Sequence, residues 1–283
     1  MKRLSYILLI FLLVATTFSC KKDDIPYVGY IAVERVVVDA GSGASTTVTA
    51  NTDINEAITA TVDEAGAEWC SVSVNGKEIT VTTTQANPST ADFRMATVSV
   101  SCGYREESFT VLQKYEGQQY LQYDWTNWSA TGSDVESSDG GGYPSLFTED
   151  RSTFWHSQYS EPVPSLPHWL VIDMKEDLEV AMVRVGRRTY AANGNNYPTV
   201  KTMEVYASTD NVDYAKVGQF TFALPWTAPD GTVINGTSPL VPGYEDVVFD
   251  APVTARYIKL VITETNNDTG MCQVSYFKAM QKI

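Results

Sequence analysis

Between Thr148 and Tyr159 the chain reads TEDRSTFWHSQY, which sets two acids, an arginine, several hydroxyls, three aromatics and one of the protein's 2 histidines within one short stretch. Three chemistries use such residues. Glu149 and Asp150 are acids fit for proton transfer, but neighbours on an extended chain project to opposite sides. Hydrolysis of a glycosidic bond needs carboxylates facing each other about 5–10 Å apart. No second carboxylate motif supplies the partner, so no catalytic residue is assigned and the chain is read as non-enzymatic. Asp150 and Thr153 offer oxygen donors that suit a hard cation such as calcium. His156, flanked by rings and hydroxyls, suits the rim of a site that hydrogen-bonds a polyol.

The elements that must hold this stretch follow from the rest of the chain. Its 283 residues suggest about two domains. The net charge of -14 disfavours nucleic acid, because phosphate contact needs clustered lysine and arginine. At the N-terminus Lys2 and Arg3 precede the apolar run LSYILLIFLLVA, short for a membrane span and typical of a secretory signal. TTFSC, ending at Cys20, resembles a bacterial lipoprotein box, with Thr17 departing from its usual leucine, and KKDD after it resembles the export signal of Bacteroidota surface lipoproteins. These resemblances imply a signal peptide over 1–19, a lipid-bearing Cys20, a tether over 20–26 and a place on the outer face of the outer membrane. Outer-membrane lipid would be a partner through the acylated N-terminus. Cys70, Cys102 and Cys272 match no zinc spacing; Cys70 and Cys102 stand either to pair or to remain buried thiols.

From 27 to 115 short runs alternate apolar and polar residues, as in ERVVVDA, STTVTANT, KEITVTTT, MATVSVSC and SFTVLQK, with no evident helix. Valine and threonine with regular turns predict a β-sandwich. Trp69 followed by CSVSV, and then Asn87, Arg94 and Gln113 in NPSTADFRMATVSVSCGYREESFTVLQK, resemble a BACON domain, an Ig-like module that usually acts as a spacer. Trp69 lies in a strand pattern and is expected in the core. KYEGQQYLQYD is too short and too aromatic for a Gly/Ser-type linker.

The remainder, 116–283, again reads as strands: PHWLVIDM, VAMVRVGRR, VKTMEVYAS, YAKVGQFTF, EDVVFD, RYIKLVITE and CQVSYFKAM. A long Pro- and Gly-rich connection carries Trp226. Thr153, Trp155, Trp169 and Asp173, then RVGRR ending in Arg188, VYASTDNVDY and ARYIKLVI, resemble in order and spacing a discoidin domain, also called the coagulation factor 5/8 type C domain, whose bacterial branch includes family 32 carbohydrate-binding modules. The resemblance implies an all-β chain in which the Ig-like sandwich precedes a jelly-roll sandwich. It also implies an oligo- or polysaccharide bound at the loop end by His156 and Arg188, with Asn195 or Asn196 and the aromatics Tyr190, Tyr197 and Trp226. Trp155 is expected in the core, and His168 as a cap at the strand entrance. Arg188 has an alternative use pairing with an acid, and Trp226 in pinning its own loop. The ligand site needs no cofactor. In relatives the Asp150–Thr153 loop often holds a structural calcium; here Thr148 replaces an aspartate and QVSYF lacks a late glutamate, so weak binding or an empty loop is expected, with Arg151 neutralising Asp150. A second class of function is a protein-interaction or scaffold subunit of a surface complex. A monomer is the default.

Overall fold

A computed structural model describes residues 27, 29–188, 199–234, 241–266 and 269–283. The chain divides into two compact units that part between Glu116 and Gly117.

The first unit contains β1 (Ile31–Ala32), β2 (Val36–Val38), β3 (Ser45–Thr49), β4 (Asn51–Thr52), β5 (Ile58–Val62), α1 (Glu64–Ala67), β6 (Cys70–Asn75), β7 (Glu78–Thr83), β8 (Arg94–Cys102) and β9 (Arg105–Gln113). Two sheets, β2-β9-β8-β5 and β3-β7-β6, make the sandwich. Alternation along β7 and β8 sends Ile79, Val81, Val98 and Val100 into the core, where each is fully buried. The single helical turn α1 escapes the sequence pattern because four residues are too few to show a period. Asp63 caps it through the Gly66 amide at 2.7 Å. Trp69 is 5% exposed and carries the Arg94 guanidinium over its ring at 4.6 Å. Asn87, Arg94 and Gln113 join in one polar clamp. Arg94 Nε donates to Gln113 Oε1 at 2.7 Å, Gln113 Nε2 to the Ala40 carbonyl at 2.9 Å, and Asn87 Nδ2 to the Asp92 carbonyl at 2.9 Å. Their spacing in the sequence reflects this clamp. Cys70, Cys102 and Cys272 are free and buried.

The second unit contains β10 (Tyr120–Gln122), β11 (Ser129–Gly132), a 3-10 turn (Tyr143–Phe147), β12 (Trp155–His156), β13 (His168–Gly186), β14 (Val200–Ser208), β15 (Ala215–Thr221), β16 (Trp226–Thr227), β17 (Val233–Ile234), β18 (Tyr244–Thr265), β19 (Gln273–Val274) and β20 (Phe277–Lys282). The ladder runs β10-β20-β13-β18-β14-β15, with β11 added to β13. β13 and β18 are 19 and 22 residues long and pair with one another along both halves. Their register shifts between Asp173 and Leu178, at Lys175 with φ 74°, so the pair bends there and serves both layers of the jelly roll. Leu170, Ile172 and Val183 on β13 and Ile258, Leu260 and Ile262 on β18 are fully buried between the layers. Each such side chain contributes on the order of 1.5–3 kcal/mol. Trp155 joins this core with no exposed surface. The long connection after β15 is not structureless: Trp226 pairs with Ile234 and Thr227 with Val233 in a short hairpin.

Candidate functional site

His168 pairs with Ile262 at the start of β13, and Gly186 with Tyr244 at its finish. Both pairs lie away from the bend, so the segments around 133–160, 187–188 and 270–273 gather at the opposite end. Asp134 ties the first of these to the last, through His168. Its Oδ2 accepts from Ser133 Oγ at 2.6 Å and from His168 Nδ1 at 2.8 Å, and its Oδ1 accepts from the Gln158 amide at 2.7 Å. Its carbonyl takes the Trp155 indole N–H at 3.0 Å and the Tyr143 hydroxyl at 3.2 Å. His168 Nε2 faces the Gly270 carbonyl at 3.1 Å, so the one ring bridges Asp134 and the 270 segment. His168 is thus a buried tie between two loops, a larger role than the strand cap expected of it.

Glu136, two residues on, lies on the same side of the extended chain and is also buried. Its carboxylate accepts from the Ser138 hydroxyl at 2.6 Å and, from the other loop, the Ser160 hydroxyl at 2.5 Å and amide at 3.0 Å. These hydrogen bonds hold its pKa at about 2, below the usual 4.5.

Trp155 points inward, so its neighbours Phe154 and His156 share the other side of the strand. Phe154 passes so close to the preceding glycines that a Cβ on Gly140, at φ +81°, would stand 2.4 Å from its carbonyl. Only glycine fits there. The Arg188 guanidinium lies over the Phe154 ring at 3.9 Å, and the His156 ring centre is 6.2 Å from that of Phe154. Tyr159 meets His156 edge-on at 5.0 Å. His156 is 4% exposed, and burial lowers its pKa, which favours the neutral ring. With Nδ1 donating to the Ser157 carbonyl at 2.6 Å, Nε2 is the acceptor nitrogen. His156 and Arg188 therefore stand together, one as acceptor and the other as cationic donor.

Trp226 is half-buried in a cluster with Phe222, Ile234 and Val241, and the Arg187 guanidinium covers Phe222 at 3.6 Å. In this position it pins its own hairpin. Tyr190, Asn195, Asn196 and Tyr197 lie outside the described residues, as does Cys20.

The Asp150 loop closes on itself. Asp150 Oδ1 accepts from the Ser152 amide at 2.8 Å and hydroxyl at 2.5 Å, while Thr153 Oγ1 donates to the Asp150 carbonyl at 2.9 Å. Glu149 pairs with Lys278 and is turned away. Arg151 does not neutralise Asp150, contrary to expectation. Its guanidinium reaches the Arg187 carbonyl at 2.7 Å and packs against Gly243, because a buried run of carbonyls offers it better acceptors than an exposed turn. Among the described residues no group of three or more His, Cys, Asp or Glu side chains is placed to hold a metal ion. The late position holds neutral Gln273 and Ser275, with Gln273 Oε1 and Ser275 Oγ buried and unpartnered. This donor set supplies one carboxylate, already bonded, and is a poor fit for calcium.

Asp134, Glu136, Phe154 and Gln273 were not marked as functional by their sequence. The legible signal was SDVE, in which two acids two apart on an extended segment must share one side. Because the folded pKa of Glu136 is depressed, the stability from its ionised form is full above pH 4.5 and is withdrawn as pH falls toward 2. Glu136→Gln is expected to melt lower than the parent at neutral pH and to lose less on acidification across that window. Melting curves against pH check this; parallel pH profiles for the two proteins would show that the carboxylate contributes nothing.

Comparison with known proteins places these features. Residues 59–114 match the BACON family model, and residues 129–276, just over half the chain, match the model of the F5/8 type C domain. Among solved structures, the C-terminal domain of a chitobiase from Bacteroides fragilis is 21% identical, with 58% of this chain and 99% of that one covered and a TM-score of 0.43. A family 32 module of a Clostridium perfringens protein, solved with GalNAc-beta-1,3-galactose, is 19% identical over 56% of this chain and 99% of that one, with a TM-score of 0.43. The family 32 module of NanJ from C. perfringens, solved with galactose, is 17% identical over 57% and 99%, with a TM-score of 0.42. By the family model that spans 129–276, the chain belongs to the F5/8 type C, or discoidin, family.

Proposed function

We propose that this chain is a non-catalytic carbohydrate-binding lipoprotein of the cell surface, taking a glycan at the loop end of its discoidin domain. The observation that carries the reading is the pairing of His156 and Arg188 across Phe154. A neutral imidazole acceptor beside a guanidinium donor matches the vicinal hydroxyls of a sugar, and aromatic rings match its C–H face. Tyr190, Asn195, Asn196 and Tyr197, which the family resemblance adds to the ligand set, follow Arg188 in the sequence. Of Asp139 and Glu136, the acids that act on His156, Glu136 is committed to Ser138 and Ser160. A glycan array followed by affinity electrophoresis is expected to find a ligand. Arg188→Ala and His156→Ala should each weaken binding about tenfold or more, as loss of a charged or buried hydrogen bond does. Unchanged binding in both variants, or no ligand at all, overturns the reading. A stoichiometric protein partner that survives excess sugar would favour the scaffold role instead.

The second part of the proposal is that the Asp150–Thr153 loop works without tight calcium. Its one carboxylate already serves Ser152, and each carboxylate withdrawn from such a site lowers affinity. Melting curves with and without a chelator should superimpose. A drop of many degrees would mean tight binding, since a ligand at about 1,000 times its Kd adds ~4 kcal/mol.

The third part is the anchor at Cys20, with the chain held on the outer membrane as a monomer and the BACON unit as spacer. The sequence pattern around TTFSC and KKDD supports it. Cells fed a clickable fatty acid should label the protein, and Cys20→Ala should abolish the label and release the protein from the membrane. Persistent labelling in the variant would exclude Cys20 as the attachment point.

A further inference from the structure

The outer face of the β13-β18-β14 sheet carries a feature that the loop-end site does not use. Ile258, Leu260 and Ile262 point into the core, so Tyr257, Lys259 and Val261 between them face outward. Lys259 lies opposite Val171 on β13 and Tyr206 on β14, with no acid across from it on either side. Its Nζ stands 5.3 Å from the Trp169 ring centre and 5.4 Å from that of Tyr214. All of these side chains are half-buried rather than covered. Burial pushes the Tyr214 phenol up to about 12, so the ring beside the ammonium is uncharged.

The surrounding charges set Lys259 apart. Lys175, Lys201, Lys216 and Lys278 each face a carboxylate. The acids nearest Lys259 along the sheet are already committed: Asp173 to Arg256 at 2.9 Å and Lys175 at 3.1 Å, Glu204 to Lys216 at 2.6 Å and the Tyr206 hydroxyl at 2.8 Å. Among the described residues Lys259 Nζ has no carboxylate within 4.0 Å and no hydrogen bond. A chain with 34 acids and 20 bases thus keeps an unpaired ammonium at the centre of a sheet, between two aromatic rings.

We propose that this face is a second binding site, separate from the loop end, for an acidic sugar residue of the uronic-acid class. The carboxylate would meet Lys259 Nζ as a charge-assisted hydrogen bond, and the C–H face of the pyranose would lie against Trp169 or Tyr214. One lysine between rings suits a monoanion carried on a ring. A phosphate would call for a free guanidinium fork or clustered backbone amides, and the guanidinium on this face, Arg256, already holds both oxygens of Asp173. The site does not depend on the loop-end reading.

The test is calorimetric titration of the full chain with trigalacturonate, with uncharged galactotriose and sialyllactose as comparison arms. Trigalacturonate is expected to bind, and to weaken as salt is raised. Lys259→Met keeps the apolar stem and removes the charge; it should bind roughly tenfold or more weakly at an unchanged melting temperature. Lys259→Gln serves the same purpose should the Met variant fold poorly. Arg188→Ala should bind trigalacturonate as the parent does. The proposal is overturned by absence of trigalacturonate binding, by full affinity in the folded Lys259 variants, or by loss of binding in Arg188→Ala, which would put the uronate at the loop end.

Discussion

A carboxylate removed from water costs several kcal/mol unless charge and hydrogen bonds replace the lost solvation. Asp134 meets that constraint with His168, Ser133 and the Gln158 amide, and the loop end is organised by the result. Through its carbonyl the same residue fixes the Trp155 indole, and an inward Trp155 sends Phe154 and His156 to the other side. Through His168 it reaches Gly270, far along the sequence. The placement of Phe154 and His156 is therefore a consequence of the hydrogen bonds made by one buried aspartate.

The arginines show a related economy on an acidic chain. Arg151, Arg187 and Arg188 come close in space, where three like charges would repel one another. Each is given a separate outlet: Arg151 a backbone carbonyl, Arg187 the Glu245 carboxylate and the Phe222 face, Arg188 the face of Phe154. Rings, carbonyls and the Glu245 carboxylate share the positive charge here.

Much of this was legible in the sequence. Alternation along TVSV and WLVIDM marks inward and outward residues directly, because a strand has a period of two. The order of Thr153, Trp155, Trp169, Asp173 and Arg188 carried the family. What the sequence hid depends on long-range contact. Arg151 sits next to Asp150 and reads as its partner, yet the fold brings the Arg187 carbonyl from 36 residues away. Asp134 and His168 are 34 residues apart, and no local pattern announces their pairing. The helical turn α1 was missed for the opposite reason, since its one stabilising cap is local but too short to register as periodic.

The bend shared by β13 and β18 has a mechanical meaning. In a sandwich of two independent sheets, either layer can fray while the other keeps its hydrogen bonds. Here the same two strands run through both layers, so opening one layer strips neighbours from the other. The second unit is in effect a single folded ribbon, and thermal opening or a pull along the chain must break it cooperatively rather than sheet by sheet. A protein held by one end and loaded through the other would gain resistance to stepwise peeling from this feature alone.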